Sequence, residues 1–217
     1  MSNKTNPTPL ALQPQYNVVR PGEWEAVNEP LYDFQTYALA GTTQQYRFFS
    51  VPLGQGATPK TYEDTNMELA GQLSAGLKFE VRAIEIALFP GVNPSPAVSA
   101  PAVSAFVNDM WSIFKAGFLQ VNVLAKPYIR LGPLGNFPFT KRLDGWAAIA
   151  DTTTAAAAQQ TRVSYAAWGG QQFQVTPFSL LPNMNFDVTL NFPTTAAISA
   201  NARIGVILRG IKSRLSQ

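Results

Sequence analysis

Residues 77–89 read LKFEVRAIEIALF, and this stretch decides the fold. Leu77, Phe79, Val81 and Ala83 alternate with Lys78, Glu80 and Arg82, the period of a strand with one apolar and one polar face. The phase then slips, and Ile84, Ile86 and Leu88 become the apolar set. A one-residue slip in a regular alternation is the sequence sign of a β-bulge. Pro90 and Gly91 close the strand.

The same period recurs on either side. Residues 185–192 (NFDVTLNF) alternate without fault, Phe186, Val188, Leu190 and Phe192 against Asn185, Asp187, Thr189 and Asn191. Residues 203–209 (RIGVILR) set Ile204, Val206 and Leu208 on one face. Residues 45–51 (QYRFFSV) make a short strand ended by Pro52. Residues 118–125 (FLQVNVLA) turn Leu119, Val121 and Val123 inward, and 126–131 (KPYIRL) are expected to continue that strand past Pro127. Residues 162–168 and 172–175 flank Gly169-Gly170 as a hairpin. Between these, 151–160 (DTTTAAAAQQ) read as a loop of small residues, although four alanines also suit one helical turn. The convincing helix covers 103–116, where Val103, Phe106, Val107, Met110, Ile113 and Phe114 share a face and Gly117 supplies the stop.

Half-polar alternation indicates antiparallel sheets with one buried face. Seven or eight such strands in the chain's main body predict an all-β, two-sheet sandwich. A jelly roll fits the count and the long connections. An immunoglobulin-like sandwich fits less well, because it leaves the helix unexplained. Residues 1–35 read differently, as an extended Pro-rich N-terminal arm, with 36–217 as the single domain. Pro7, Pro9, Pro14, Pro21 and Pro30 resist helix and central strand alike. A disordered terminus is one outcome. Tyr16, Val18, Trp24, Leu31, Tyr32 and Phe34 favour the other, an arm ordered by contact with a neighbouring subunit. On that reading, deleting 1–34 leaves the domain folded and weakens assembly.

Composition narrows the function. The chain has 217 residues, 46% of them hydrophobic and only 13% charged, against about 25% charged in an average protein. So few charges leave much of the surface to amides, hydroxyls and alanines, or to other subunits. With no cysteine and no histidine, disulfides, thiolate sites, His-dependent triads and HExxH zinc sites are excluded. No phosphate-binding glycine loop or calcium loop is present. Glu63, Asp64 and Glu68 cluster in sequence, but neighbours on a strand face opposite ways. Glu80 or Glu85 would need a distant acidic partner to make a glycosidase pair. We therefore expect no enzyme and no cofactor. Trp24, Trp111, Trp146 and Trp168 are either a sugar-stacking platform, with Trp146 and Trp168 the candidates, or core and interface anchors.

The net charge is small, 16 basic less 13 acidic residues, or +3, but it is unevenly placed. Glu23, Glu25, Glu29 and Asp33 make the N-terminal segment acidic, while Arg203, Arg209, Lys212 and Arg214 follow the last acidic residue. That basic end is either a solvated terminus or a contact for phosphates or for a neighbour's acidic patch. No apolar run reaches the 18 to 20 or so residues of a membrane span, and residues 1–15 lack a signal-peptide core. A product made, and kept or assembled, in the cytoplasm is expected.

Two stretches carry a resemblance. Residues 180–215 (LLPNMNFDVTLNFPTT, then NARIGVILRGIKSRL) resemble the last strands of virion jelly-roll proteins. Residues 107–138 (VNDMWSIFKAGFLQVNVLAKPYIRLGPLGNFP) resemble a helix–strand element of such coats. Over residues 37–217 the chain is similar to jelly-roll capsid proteins of tailless icosahedral bacteriophages. The resemblance implies a self-associating coat subunit, major or minor, in trimers or larger assemblies. Its partners would be copies of itself, other virion proteins and the packaged genome, the last through the basic C-terminus. It would be assembled in the host cytoplasm and located in the virion. Many relatives double the jelly roll in one chain, and this chain has room for one. The alternatives are a decoration protein or a carbohydrate-binding spike or adhesin module.

Overall fold

The computed structural model describes residues 22–92, 100–124, 126–137, 144–151, 159–166 and 172–216. It is mostly β, with two larger antiparallel sheets and one α-helix among the described residues. The first sheet contains β1 (Trp24–Val27), β2 (Leu31–Tyr37), β4 (Leu77–Phe89), β9 (Phe173–Leu180) and β11 (Ala202–Leu215). Its order is β1-β11-β4-β9, with β2 also on β11. The second runs β3 (Gln45–Phe48), β10 (Phe186–Asn191), β5 (Phe118–Val123), β6 (Lys126–Pro133). A separate hairpin joins β7 (Asp144–Asp151) to β8 (Gln159–Ala166), and α1 (Ala100–Ala116) lies between β4 and β5 in the chain.

The pairings nest. β2 pairs with β11, β3 with β10, β4 with β9 and β5 with β6, all antiparallel. The first strand of each sheet thus meets a late one, as in a long ribbon folded back at β5–β6. Apolar side chains of both sheets meet in one core, including Leu31, Tyr37, Phe79, Val81, Ile84 and Ile86 from the first and Tyr46, Phe48, Leu119, Val121, Val188 and Leu190 from the second. Tyr37 joins the two, stacked on Tyr46 at 5.2 Å and edge-on to Phe192 at 5.3 Å. Its hydroxyl donates to the Ala196 carbonyl at 2.7 Å. Burial, with Tyr46 beside it, pushes that hydroxyl's pKa up to about 12.

Much of this follows the alternation. β4 has the expected bounds, and its irregularity falls at Arg82, where the partner register slips between Arg209 and Gly210. β5 buries Leu119, Val121 and Val123 as expected. The helix begins three residues earlier than its apolar stripe, and Ile113 is buried beneath it.

Three expectations are corrected. Residues 126–131 do not prolong β5. The chain reverses, with Leu124 at φ 56°, and β6 pairs back along β5. The described strands on either side of Gly169-Gly170 pair elsewhere, β8 with β7 and β9 with β4, and residues 167–171 themselves lie outside the described residues. Pro177 is tolerated in β9 because that strand is the sheet's edge. The loop expected at 151–160 lies, between 152 and 158, outside the described residues.

The third correction concerns the arm. From Trp24 onward it is part of the chain's own first sheet. β1 and β2 lie on one edge of β11 in a single continuing register, Trp24 opposite Leu215 and Tyr37 opposite Ala202. Pro30 has no N–H to offer, and the ladder breaks over residues 28–30. Leu31 and Phe34 are buried. Deleting 1–34 would therefore remove core and would not leave the domain intact.

β2 also carries Asp33, fully buried beside Lys60. Its second oxygen accepts the Phe49 N–H at 2.6 Å. Phe49 sits at φ 66°, a left-handed conformation that costs a bulky residue roughly 1–3 kcal/mol. One carboxylate thus fastens the β3–β4 connection at both Phe49 and Lys60. Burial pushes the Asp33 pKa up, while Lys60, the Phe49 N–H and Thr65 pull the other way. Replacing Asp33 with Asn should cost about 3 kcal/mol in urea unfolding, because Lys60 is left buried without its charge partner. The double variant Asp33→Asn/Lys60→Met should recover part of that loss. Equal loss in both would show that the ion pair is not what holds the connection.

Candidate functional site

The basic end is a strand. β11 runs on to Leu215, so Arg209, Lys212 and Arg214 belong to the sheet. Each of its four cations meets a carboxylate of the same chain. Arg203 lies 3.2 Å from Asp64, Lys212 3.0 Å from Glu29, and Arg214 2.6 Å from Glu25. Arg209 grips Glu85 with two parallel bonds of 3.1 and 3.2 Å. Glu85 is fully buried, and this forked geometry is what a guanidinium does better than an ammonium. The Glu25 carboxylate holds the Arg214 pKa above its ordinary value. At Asp64, burial pushes the pKa up, but the Thr61 N–H and hydroxyl, Arg203 and Lys60 outweigh it and hold the carboxyl below its usual range.

The acidic and basic ends noted in the sequence meet in part: the pairing of β1 with β11 brings Glu25 to Arg214 and Glu29 to Lys212, while Arg203 and Arg209 meet Asp64 and Glu85. Phosphate binding needs cations whose charge is uncompensated, and these four are matched one to one. Arg203 has a second use. Its guanidinium lies 4.5 Å over the Phe34 ring, which in turn covers Gly205.

A cleft of about 640 Å³ opens on this sheet. Asn28, Pro30, Arg82, Gln172, Gln174 and Arg209–Ile211 line it. Its origin is the coincidence of two irregularities. The Arg82 bulge flanks residues 209–210 of β11 on one side, and the broken ladder at 28–30 flanks 209–211 on the other. Gly210 allows it, since a Cβ there would come within 1.8 Å of the Glu80 carbonyl oxygen. The cleft is polar and electrically balanced. Arg82 is bonded to Glu80 at 2.6 Å and Arg209 to Glu85. Among the described residues, no aromatic ring lines the walls. Among the described residues, no group of three or more acidic side chains could hold a metal ion. No helix there is long and apolar enough to cross a membrane.

The expected subunit-contact residues separate. Tyr16 and Val18 lie outside the described residues. Leu31 and Phe34 are spent inside the chain. Tyr32 is half-buried, its hydroxyl donating to the Tyr62 carbonyl at 2.5 Å. Trp24 is 44% exposed, with the Lys78 ammonium 3.7 Å above its ring. Trp146 is in β7, and Trp168 lies outside the described residues. Trp111, named in the sequence only with the other tryptophans as platform or anchor, is 68% exposed on α1. The signal was available, because Trp111 falls off the helix's apolar stripe.

Comparison with known families, characterised proteins and solved structures finds no match.

Two outcomes follow from this geometry. Gly210→Ala should destabilise the protein by about 2 kcal/mol or more, read as a lowered unfolding midpoint, because backbone must move to admit the methyl group. DNA, single- or double-stranded, should bind at most weakly at about 0.15 M salt. Tight binding with a steep salt slope, lost on neutralising Lys212 and Arg214, would contradict the charge matching.

Proposed function

We propose that this chain is a virion structural protein, a single jelly-roll coat subunit that associates with copies of itself to form or decorate an icosahedral shell. One observation carries the reading: the nested pairing of β2 with β11, β3 with β10, β4 with β9 and β5 with β6. A jelly roll is such a folded ribbon wound into two facing four-stranded sheets. Set aside β1, and the two sheets hold β2, β11, β4, β9 and β3, β10, β5, β6. Most successive strands cross from one sheet to the other. α1 and the β7–β8 hairpin are then insertions in an eight-stranded plan.

A fold hosts many functions, so the surface must support the rest. Trp111, Tyr62, Leu124, Tyr128 and Leu39 are all more than half exposed. Large apolar side chains on a chain so poor in charge favour a protein whose surface is covered by partners. In this reading the matched cations of β11 serve the sheet and not the genome. The site of action is the virion, after assembly in the host cytoplasm.

Light scattering with negative-stain microscopy on the purified chain tests this. Shells, sheets or stable trimers are expected. Trp111→Ser should reduce them while leaving the unfolding midpoint within about 0.5 kcal/mol of the parent. A chain that stays monomeric at every concentration and salt, alone and with its co-expressed neighbours, would overturn the coat reading.

A further inference from the structure

The two segments on β11's outer edge are held very differently. β2 is anchored by Leu31, Asp33, Phe34 and Tyr37, all buried. β1 has no buried residue; its positions alternate between exposed and half-buried. What holds β1 is a short ladder, extended by bonds of 2.9 Å from the Gly22 N–H to the Ser216 carbonyl and from the Ser216 N–H to the Glu23 carbonyl. To this it adds the charge contacts of three cations: Arg214 with Glu25, Lys212 with Glu29, and Lys78 with the Trp24 ring. Every one of these contacts is electrostatic and screened by salt.

The joint between the two segments is defined as well. The ladder stops at Val27 and resumes at Leu31. At the end of the gap Asn66 clamps the chain, donating to the Pro30 carbonyl at 2.7 Å and to the Glu29 carboxylate at 3.1 Å and accepting the Tyr32 N–H at 3.1 Å. Release of 22–29 breaks one contact at this joint, Asn66 to Glu29, and leaves the Asn66 bonds to Pro30 and Tyr32 that fix the start of β2. The departure of β1 would bare the β11 backbone edge at residues 212–215 and strip Lys78, Lys212 and Arg214 of their partners.

We propose that β1 is an exchangeable strand: the segment 22–29 of a second copy docks on the vacated edge of β11 and restores the same ladder and the same charge contacts. The occupant is fixed by complementarity. The edge requires an extended strand with carboxylates matching Arg214 and Lys212 and a ring under Lys78, and this chain itself carries one. Because exchange makes the same contacts it breaks, it costs little beyond association. The proposal does not rest on the coat reading, since a dimer suffices.

The chain has no cysteine, which permits a clean test. Ala26 and Ser213 are opposite each other across β1 and β11, a separation that suits a disulfide, and neither is buried. Full-length Ala26→Cys and Ser213→Cys variants, one carrying a tag that changes its size, are mixed in equal amounts and oxidised. Neither can close on itself through this pair. Exchange predicts a mixed disulfide well above the half share of random pairing, increasing with protein concentration and after incubation in high salt. As a cross-check, the double variant in one chain should close internally when dilute and give covalent dimers when concentrated. Random or absent mixed disulfide, or internal closure alone at every concentration, would overturn the proposal. Neither result depends on whether shells form.

Discussion

A central strand must satisfy hydrogen-bonding groups along both of its edges, and β11, fourteen residues long, is paired on both sides except at 209–211, where the outer ladder is broken. β4 occupies one edge almost throughout, and β1 and β2 share the other in one register. The position of the N-terminal segment follows directly. So does the fate of the charges, because antiparallel pairing brings an acidic segment alongside a basic one. Even the cleft is a by-product, the place where both neighbours of β11 depart from regularity at the same height.

The strands that alternate clearly were legible. β4, β5 and β10 could be read from side-chain period alone, because each has a strong apolar face. The bulge was legible too, as a phase slip, although the extra residue is Arg82 and the apolar phase changes just after it. What could not be read was pairing. Nothing local in β8 says that it meets β7 and not β9. The N-terminal segment misled for a physical reason. Its prolines argue against a central strand, yet an outer strand needs N–H donors on one side only, and Pro30 falls in the gap between two short ones. Asp33 misled in the same way, since a lone acidic residue gives no sign that Lys60 and the Phe49 N–H will meet it.

The candidate site shows the same division. The sequence displays an acidic start and a basic end, but whether such charges face a ligand or each other depends on strand order, which is a long-range property. Once β11 is central, the low charge content acquires a second meaning. Of the few cations, Lys60, Arg82, Arg203, Arg209, Lys212 and Arg214 are engaged within the chain, as is Arg47 with Asp187. Among the described residues, Lys115 and Lys126 are exposed, as are the large apolar side chains Trp111, Tyr62, Leu124, Tyr128 and Leu39.

The nested ribbon also dictates a timetable. Tyr37 closes its hydrogen bond with a residue 159 positions away, and Leu39 with one 162 away. During synthesis β2 and β4 emerge long before β11, the strand that must lie between them. Until then they present bare edges, a condition that invites wrong pairing. Topologies dominated by such distant contacts fold slowly, on the scale of milliseconds to seconds. The helix α1 and the β5–β6 turn, by contrast, are local and can form at once. The chain should therefore be most vulnerable to aggregation in the interval between making β4 and making β11, and a growing cell would gain most from chaperones that hold nascent strands apart during that interval.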